Sequence, residues 1–210
     1  MADEQAIREE MCTFGHRLWL RGMVAANDGN ISVRLPDGCI LCTPAGVSKG
    51  YMDPDALSKL SADGELRSGA KQTSEVGMHL EVYRLRPDIN AVVHAHPAAA
   101  TGWAIGGREF PVGILAEAVA AFGHVPVADY ATPGTPRVAE VVRPHVCSAN
   151  AVLLMNHGAM TLGEDLEQAY YRMEVLEHVA QTALAALQAA CGAPLQEVPE
   201  AGLKDILGHG

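Results

Sequence analysis

Apolar positions along the chain follow a helical period in some stretches and form short continuous runs in others. Residues 4–22 carry apolar side chains at helical spacing and end at Gly22, which predicts a first helix. The apolar runs 31–35 and 39–42 flank Pro36-Asp37-Gly38, a pattern typical of a β-hairpin. The chain therefore opens with a helix that is followed by paired strands.

The same alternation of helices and apolar strands continues to the C-terminal region. We expect a helix that opens at Thr73-Ser74-Glu75, with a hydroxyl residue as its N-cap, and that Pro87 stops. Alternating elements of this kind imply an α/β fold in which helices cover a sheet. The remaining predicted elements are a strand over 90–95, a helix after Pro97, a helix from Thr135 to Val142 with Pro144 close after its end, a buried strand over 151–155, and a long helix from Glu164 to about Ala190 that Gly192 and Pro194 end.

Size, composition and charge narrow the class of protein. The 210 residues suit one domain over 1–210, and the 49% apolar and 19% charged residues are ordinary for a globular protein. The net charge of −10 argues against nucleic acid or an anionic membrane surface as a partner. An acidic protein can still bind a phosphate through local backbone amides. No apolar run approaches the ~20 residues that a membrane span needs.

The N-terminus and the cysteines indicate the compartment. The first residues are acidic where a secretory signal would be basic. The odd number and scatter of the five cysteines favour reduced thiols, so we expect a cytoplasmic protein. Cys39 and Cys42 form a CxxC pair without a second pair, and its apolar setting indicates a buried strand rather than a zinc ribbon.

Three histidines follow two of the predicted strands. His94 and His96 lie at the end of one strand, where residues two apart face the same way and can reach one point. His157 directly follows the strand 151–155, and strand ends are where sites collect in α/β sheets. Three imidazoles with an open fourth position are typical of a catalytic zinc site, and they would also admit manganese or cobalt. The alternative is a set of independently hydrogen-bonded histidines. The other histidines are interpreted as structural: His16, His79, His124, His145, His178 and His209.

An acid and three small-residue segments accompany these histidines. Glu75 lies at the start of its predicted helix, where a carboxylate is favoured, and it is either an acid/base near the metal or a capping-region acid without chemistry. Gly29-Asn30, Thr43-Pro44-Ala45-Gly46 and Thr73-Ser74 offer backbone N–H groups or hydroxyls to an anion. Each segment alone would ordinarily be a turn or a cap.

Taken in order, these motifs resemble the class II aldolase/adducin family from about residue 5 to residue 190. The resemblance rests on Gly29-Asn30-Ile31-Ser32, Thr43-Pro44-x-Gly46, Ser74-Glu75, His94-x-His96 and Asn156-His157-Gly158. It implies a three-layer α/β/α sandwich with a mixed, largely antiparallel central sheet. It also implies a fourfold-symmetric homotetramer with active sites near the subunit interfaces.

The resemblance also implies residue roles. His94, His96 and His157 would hold zinc, and Glu75 would be the acid/base beside it. The residues that would cradle a substrate phosphate are Gly29, Asn30, Thr43, Gly46, Thr73 and Ser74.

One departure from the family pattern affects the reaction. The fuculose-phosphate aldolase branch carries a tyrosine downstream of the HxH pair that crosses the interface as a proton donor. Residues 112–117 contain none here, and the nearest ionisable group is Glu117, which resembles the acid of the related methylthioribulose-phosphate dehydratases. No tyrosine follows Tyr171 either, which disfavours an epimerase.

The resemblance thus implies retro-aldol cleavage of a ketose 1-phosphate to dihydroxyacetone phosphate and an aldehyde. Glu75 would protonate the enediolate, and Glu117 would exchange a proton at the aldehyde oxygen. Two rivals use the same metal: a decarboxylase of a β-keto sugar acid phosphate, and a dehydratase. A non-catalytic, adducin-like binding domain predicts loss of the metal histidines, which are all present. Lys49 is either a partner for an anionic substrate or a solvated loop lysine.

Overall fold

The computed structural model describes residues 4–191 and 193–208, within which there are seven α-helices and eight β-strands. The predicted helix stop at Gly192 and the interpretation of His209 lie outside these residues. The helices are α1 Glu4–Leu20, α2 Val76–Leu85, α3 Ala98–Ile105, α4 Ala116–Phe122, α5 Arg137–Val146, α6 Leu166–Ala189 and α7 Glu200–Gly208. The strands are β1 Asn30–Arg34, β2 Ile40–Cys42, β3 Ser58–Leu60, β4 Leu66–Ser68, β5 Ala91–Ala95, β6 Val127–Ala128, β7 Ala151–Leu154 and β8 Gly158–Gly163.

The eight strands form one sheet in the order β4-β3-β2-β1-β5-β8-β7-β6. Within the described chain β6 and β7 run parallel, and the other neighbouring strands pair antiparallel. The expectation of a mixed, largely antiparallel sheet is confirmed. That residues 1–210 form a single domain stays a prediction.

Apolar side chains of the central strands point alternately to the two faces of the sheet. Val93 of β5 joins the core beneath α1, α3, α4 and α6, whereas its neighbour Val92 joins a second core beneath α2 and α5. Alternation within one strand therefore supplies both cores. The predicted three-layer α/β/α architecture is confirmed.

Two helix boundaries differ from those expected. The N-cap of α2 is Glu75, without a side-chain capping bond, and the Thr73 hydroxyl instead accepts from Glu75 N at 3.3 Å. Helix α5 continues through Pro144 to Val146. Its apolar face, which includes Val142, is buried against the sheet, so tertiary packing outweighs the hydrogen bond that proline removes. The strands β3, β4, β6 and β8 and the helices α4 and α7 had no sequence prediction.

Three of the four residues of the CxxC segment, Ile40–Cys42, form the buried strand β2 that was expected, and Cys39 lies outside it. Cys42 ends β2 and is fully buried, whereas Cys39 precedes the strand and is partly buried. Burial raises the pKa of the Cys42 thiol to about 12, which keeps it an unreactive neutral group. No helix within the described residues combines the length and apolarity that crossing a membrane requires.

Candidate metal centre

The three predicted ligand histidines meet at one point. The rings of His94 and His96 have centroids 4.9 Å apart, and His157 lies 4.7 Å and 5.1 Å from them. One nitrogen from each ring lies within 4.8 Å of those of the others. Nitrogens at this spacing can bind a single metal ion from three sides.

Strand pairing sets the orientation of these rings. In the β5–β8 ladder His94 lies opposite Met160, which brings its Nδ1 within 2.9 Å of the Ala159 carbonyl. A carbonyl only accepts, so Nδ1 of His94 carries a hydrogen, and Nε2 is the nitrogen left to bind a metal. Nδ1 of His96 faces the Asp28 carboxylate at 3.5 Å, and Nε2 of His96 lies 3.1 Å from Nε2 of His94.

His157 reaches the same point from a tight hairpin. Met155, Asn156 and His157 connect β7 to β8 in three residues, and Asn156 adopts a φ of 55°. Asparagine tolerates this left-handed conformation better than most residues, which explains the Asn-His-Gly sequence in part. A Cβ on Gly158 would lie 2.5 Å from the Ala95 carbonyl and 2.6 Å from the His96 ring, so a glycine is required beside the ligands.

Glu75 faces the three imidazoles. Its Oε2 lies 3.3 Å from His94 Nε2 and accepts from Asn30 Nδ2 at 2.9 Å, and its Oε1 lies 3.2 Å from His157 Nε2. Oε1 is buried and has no hydrogen-bond partner. A buried carboxylate oxygen without a donor, beside three imidazoles, fits a cation at this point.

The protonation states suit metal binding. Burial and the neighbouring His94 lower the pKa of His157 to about 4, and the same two causes lower the pKa of His96. Burial by itself would raise the pKa of Glu75, but the adjacent His94 and His157 rings and the hydrogen bond from Asn30 hold it below its ordinary value. At neutral pH the centre therefore offers the neutral imidazole of His157 beside the ionised carboxylate of Glu75.

A cleft of 320 Å³ opens onto this centre. Five of the six residues expected to cradle a phosphate line it, namely Gly29, Asn30, Gly46, Thr73 and Ser74. Thr43 lies behind its wall: the side chain is fully buried, and its hydroxyl accepts from Ile31 N at 3.2 Å. Phosphate binding by all six residues stays a prediction.

Lys49 is not a solvated loop lysine. It is 2% exposed, it lines the cleft, and its ammonium donates to the carbonyls of Asn27 at 2.9 Å and Val47 at 2.6 Å. Burial lowers the pKa of Lys49 to about 8, against the opposing charges of Asp28 and Glu75. Among the described residues that line the cleft, Lys49 is the one lysine or arginine.

Glu117 lies elsewhere in its own chain. It is exposed in the first turn of α4 and is not among the described residues that line the cleft. Its proposed catalytic role stays a prediction that requires a neighbouring subunit.

Sequence reasoning missed part of the cleft wall. Asp28, which faces His96, precedes the Gly29-Asn30 motif directly and could have been included with it. Pro133 and Gly134 also line the cleft, although they were not among the candidate site residues predicted from the sequence. A Cβ on Gly134 would lie 3.4 Å from the Ser74 hydroxyl, which shows how closely this loop approaches α2.

The fold and the site together define the class of this protein: an α/β/α protein with three convergent histidines. Residues 9–184 match the Class II Aldolase and Adducin N-terminal domain, and the chain belongs to that family. The resemblance seen in the motifs is confirmed.

The relatives of this chain include enzymes with two different activities. The 3-oxo-tetronate 4-phosphate decarboxylase of Escherichia coli (strain K12) is 38% identical over 182 residues, covering 85% of this chain and 86% of that protein. The L-fuculose phosphate aldolase of Methanococcus vannielii is 33% identical over 173 residues, covering 82% and 93%. The crystal structure of YgbL from Escherichia coli, described as a candidate aldolase, epimerase or decarboxylase, superposes with a TM-score of 0.89 at 34% identity, covering 97% of this chain and 98% of that one.

Proposed function

We propose that the protein is a metal-dependent decarboxylase of a 3-oxo sugar acid phosphate of the 3-oxo-tetronate 4-phosphate class. The observation that carries the proposal is a cleft with a carboxylate, Glu75, at the histidine centre and no tyrosine among the described residues that line it. The similarity to 3-oxo-tetronate 4-phosphate decarboxylases supports the same reaction.

The chemistry of this substrate class explains why one acid/base group is enough. A 3-oxo acid loses its carboxylate as neutral CO2 when the C1–C2 bond breaks, and the electron pair passes to C2 and the C3 ketone oxygen. The leaving group needs neither a proton donor nor a base. C2 must then gain one proton, which gives dihydroxyacetone phosphate from 3-oxo-tetronate 4-phosphate.

The proposed metal ligands are His94, His96 and His157. A divalent ion held there, zinc in our proposal with manganese or cobalt as alternatives, would supply Lewis-acid stabilisation of the negative charge that develops on the ketone oxygen. Glu75 is the proposed proton relay: the carboxylate, ionised in the resting centre, would take up a proton from solvent in the cleft and deliver it to C2, because it lies beside the ligand nitrogens and faces the cleft.

The substrate phosphate would be held at the other wall of the cleft. Gly29, Gly46 and the Thr73-Ser74 pair line it, and they offer backbone N–H groups and hydroxyls. Lys49 would add positive charge for an anionic group of the substrate. Binding the phosphate at a distance from the breaking bond would fix the orientation of C1 and C2.

Retro-aldol cleavage of a ketose 1-phosphate, the reaction that the motifs indicated first, is our second candidate. The L-fuculose phosphate aldolase relatives favour it. It passes through the same dihydroxyacetone phosphate enediolate but needs a further group to exchange a proton with the aldehyde oxygen, for which Glu117 is the candidate.

Both reactions release dihydroxyacetone phosphate, so the test must measure the second product, which is CO2 for the decarboxylase and an aldehyde for the aldolase. Purified protein is supplied with 3-oxo-tetronate 4-phosphate and, separately, with L-fuculose 1-phosphate, and CO2, aldehyde and dihydroxyacetone phosphate are measured. The proposal predicts equal amounts of CO2 and dihydroxyacetone phosphate from the first substrate and little turnover of the second. Aldehyde release from the second substrate without CO2 from the first would show the aldolase instead.

A further inference from the structure

Behind Glu75 lies a continuous chain of buried polar side chains. Glu75 Oε2 bonds to the Asn30 amide, the Asn30 oxygen bonds to His79 Nε2, and His79 Nδ1 bonds to Ser32 Oγ at 2.7 Å. Ser32 Oγ in turn lies 2.7 Å from the Tyr83 hydroxyl. His79 and Ser32 are completely buried, and Asn30 and Tyr83 are nearly so.

When the His79 ring is neutral, only one arrangement of hydrogens satisfies every bond in this chain. An ionised carboxylate only accepts, so Asn30 must turn its amide nitrogen to Glu75 and its oxygen to His79. His79 must then carry its hydrogen on Nε2 and accept at Nδ1. Ser32 therefore donates to His79, and Tyr83 donates to Ser32. All the bonds run in one direction and end on the carboxylate.

The surroundings keep His79 in the required form. Burial, with a smaller contribution from the nearby His94, lowers the pKa of His79 to about 3. The ring is neutral at neutral pH, so it has one donor and one acceptor nitrogen. Burial also raises the pKa of the Tyr83 phenol, which keeps it a donor.

We infer that His79, interpreted from the sequence as merely structural, is a positioning residue: it fixes the orientation of the Asn30 amide and so aims the Glu75 carboxylate. The inference rests on the proposed acid role of Glu75. His79 touches neither the cleft nor the ligand nitrogens, and it acts on the reaction only through Asn30. Small displacements of a catalytic group can cost about 10²-fold in rate, which is the scale expected here.

The kinetic test is a pair of amide variants of matched chemistry. His79→Gln places an amide near the Nε2 position and can still donate to Asn30, whereas His79→Asn reaches only the Nδ1 position. We expect His79→Asn to lower kcat by about 10²-fold, with KM and metal content near wild type, and His79→Gln to be at least about tenfold faster than His79→Asn. Equal losses in both variants that follow their melting temperatures, or an unchanged kcat in His79→Asn, would overturn the inference.

A second measurement tests the hydrogen-bond arrangement of His79 without an assay of enzyme activity. Nitrogen NMR of histidine-labelled protein, with the His79 signal assigned by its loss in His79→Gln, reports which ring nitrogen carries hydrogen. The inference requires a neutral ring with hydrogen on Nε2 at neutral pH, and a protonated ring or hydrogen on Nδ1 would refute it. This result is independent of whether the wild-type protein releases CO2, so failure of the proposed reaction and failure of the positioning role remain distinguishable.

Discussion

At the scale of single residues, the centre is defined by which polar atoms have a hydrogen-bond partner and which have none. Glu75 Oε1 is buried without a hydrogen-bond donor, while Oε2 is held by Asn30. His94 Nδ1 is occupied by a carbonyl, which leaves Nε2 free for a metal. The hydrogen-bonding state of these atoms supports a catalytic role for the cleft more strongly than the presence of histidine and glutamate alone.

The first prediction concerns Glu75. Glu75→Gln keeps the size of the side chain but removes the acid, so kcat should fall about 10²- to 10⁴-fold. The three histidines are untouched, so the metal content by elemental analysis should stay at the wild-type value. Glu65→Gln, at an exposed carboxylate, is the control. A turnover rate near that of wild type would remove Glu75 from the mechanism.

The second prediction is the pH dependence of substrate binding. Lys49 is charged below its pKa of about 8 and loses that charge as pH rises through this value. We therefore expect KM for the anionic substrate to rise between pH 7 and pH 9. Lys49→Met should raise KM about tenfold or more at pH 7 and abolish the dependence, since a hydrogen bond to a charged group contributes about 1.5–3 kcal/mol. The exposed Lys204→Met variant should behave as wild type, and a KM of wild-type protein that is flat across this range would contradict the role.

At the scale of elements, the centre depends on how neighbouring elements are tied together. Helix α3 begins two residues after His96, and its N-cap Pro97 supplies no side-chain capping bond. Instead Glu177 of α6 accepts from Ala99 N at 3.1 Å and from Ala100 N at 2.9 Å. A side chain from a distant helix thus satisfies the free N–H groups at the start of α3.

The third prediction follows from this cap. Glu177→Ala leaves two N–H groups of α3 without an acceptor, so the free energy of unfolding should fall by about 2 kcal/mol. Urea denaturation measures the change. His178→Ala, at the exposed neighbouring position on α6, is the matched control and should differ little from wild type. An equal loss in both variants would show that the capping bonds contribute nothing specific.

At the scale of the whole molecule, two antiparallel ladders bring distant segments to one point. The ligands come from β5 and from the β7–β8 hairpin, and the carboxylate comes from the N-cap of α2. The ion should therefore stabilise the folded chain, because its ligands join two separate segments beside the start of a third.

The fourth prediction concerns metal removal. Dialysis against a chelator should abolish turnover and lower the melting temperature, and zinc should restore both. An ion at 1,000 times its dissociation constant stabilises by about 4.1 kcal/mol. His94→Ala should lack both the bound ion and the chelator-induced shift. A wild-type protein with the same melting temperature before and after chelation would argue against a bound ion at this centre.

The fifth prediction concerns assembly. We expect a homotetramer, with a mass in analytical ultracentrifugation four times that of the 22.2 kDa chain. Because Glu117 is exposed and does not line the cleft of its own chain, Glu117→Gln can lower turnover only across a subunit interface. A monomer in which Glu117→Gln still reduced turnover would exclude this explanation.

The sequence by itself was enough to predict the α/β alternation and the convergence of the three histidines on one point. Both follow from local rules: apolar periodicity sets the element type, and residues two apart on a strand share a face. Helix α5 shows the limit of such rules, since it runs through Pro144 because of packing that no local pattern reveals.

Only the tertiary structure decided how the remaining polar groups are used. It buried Lys49 at the cleft, turned the Thr43 hydroxyl to Ile31 N, and linked His79 to Glu75 through Asn30. Each outcome depends on a partner far away in the chain, and a polar side chain that folding buries must satisfy its hydrogen bonds with whatever group the sheet and helices bring beside it.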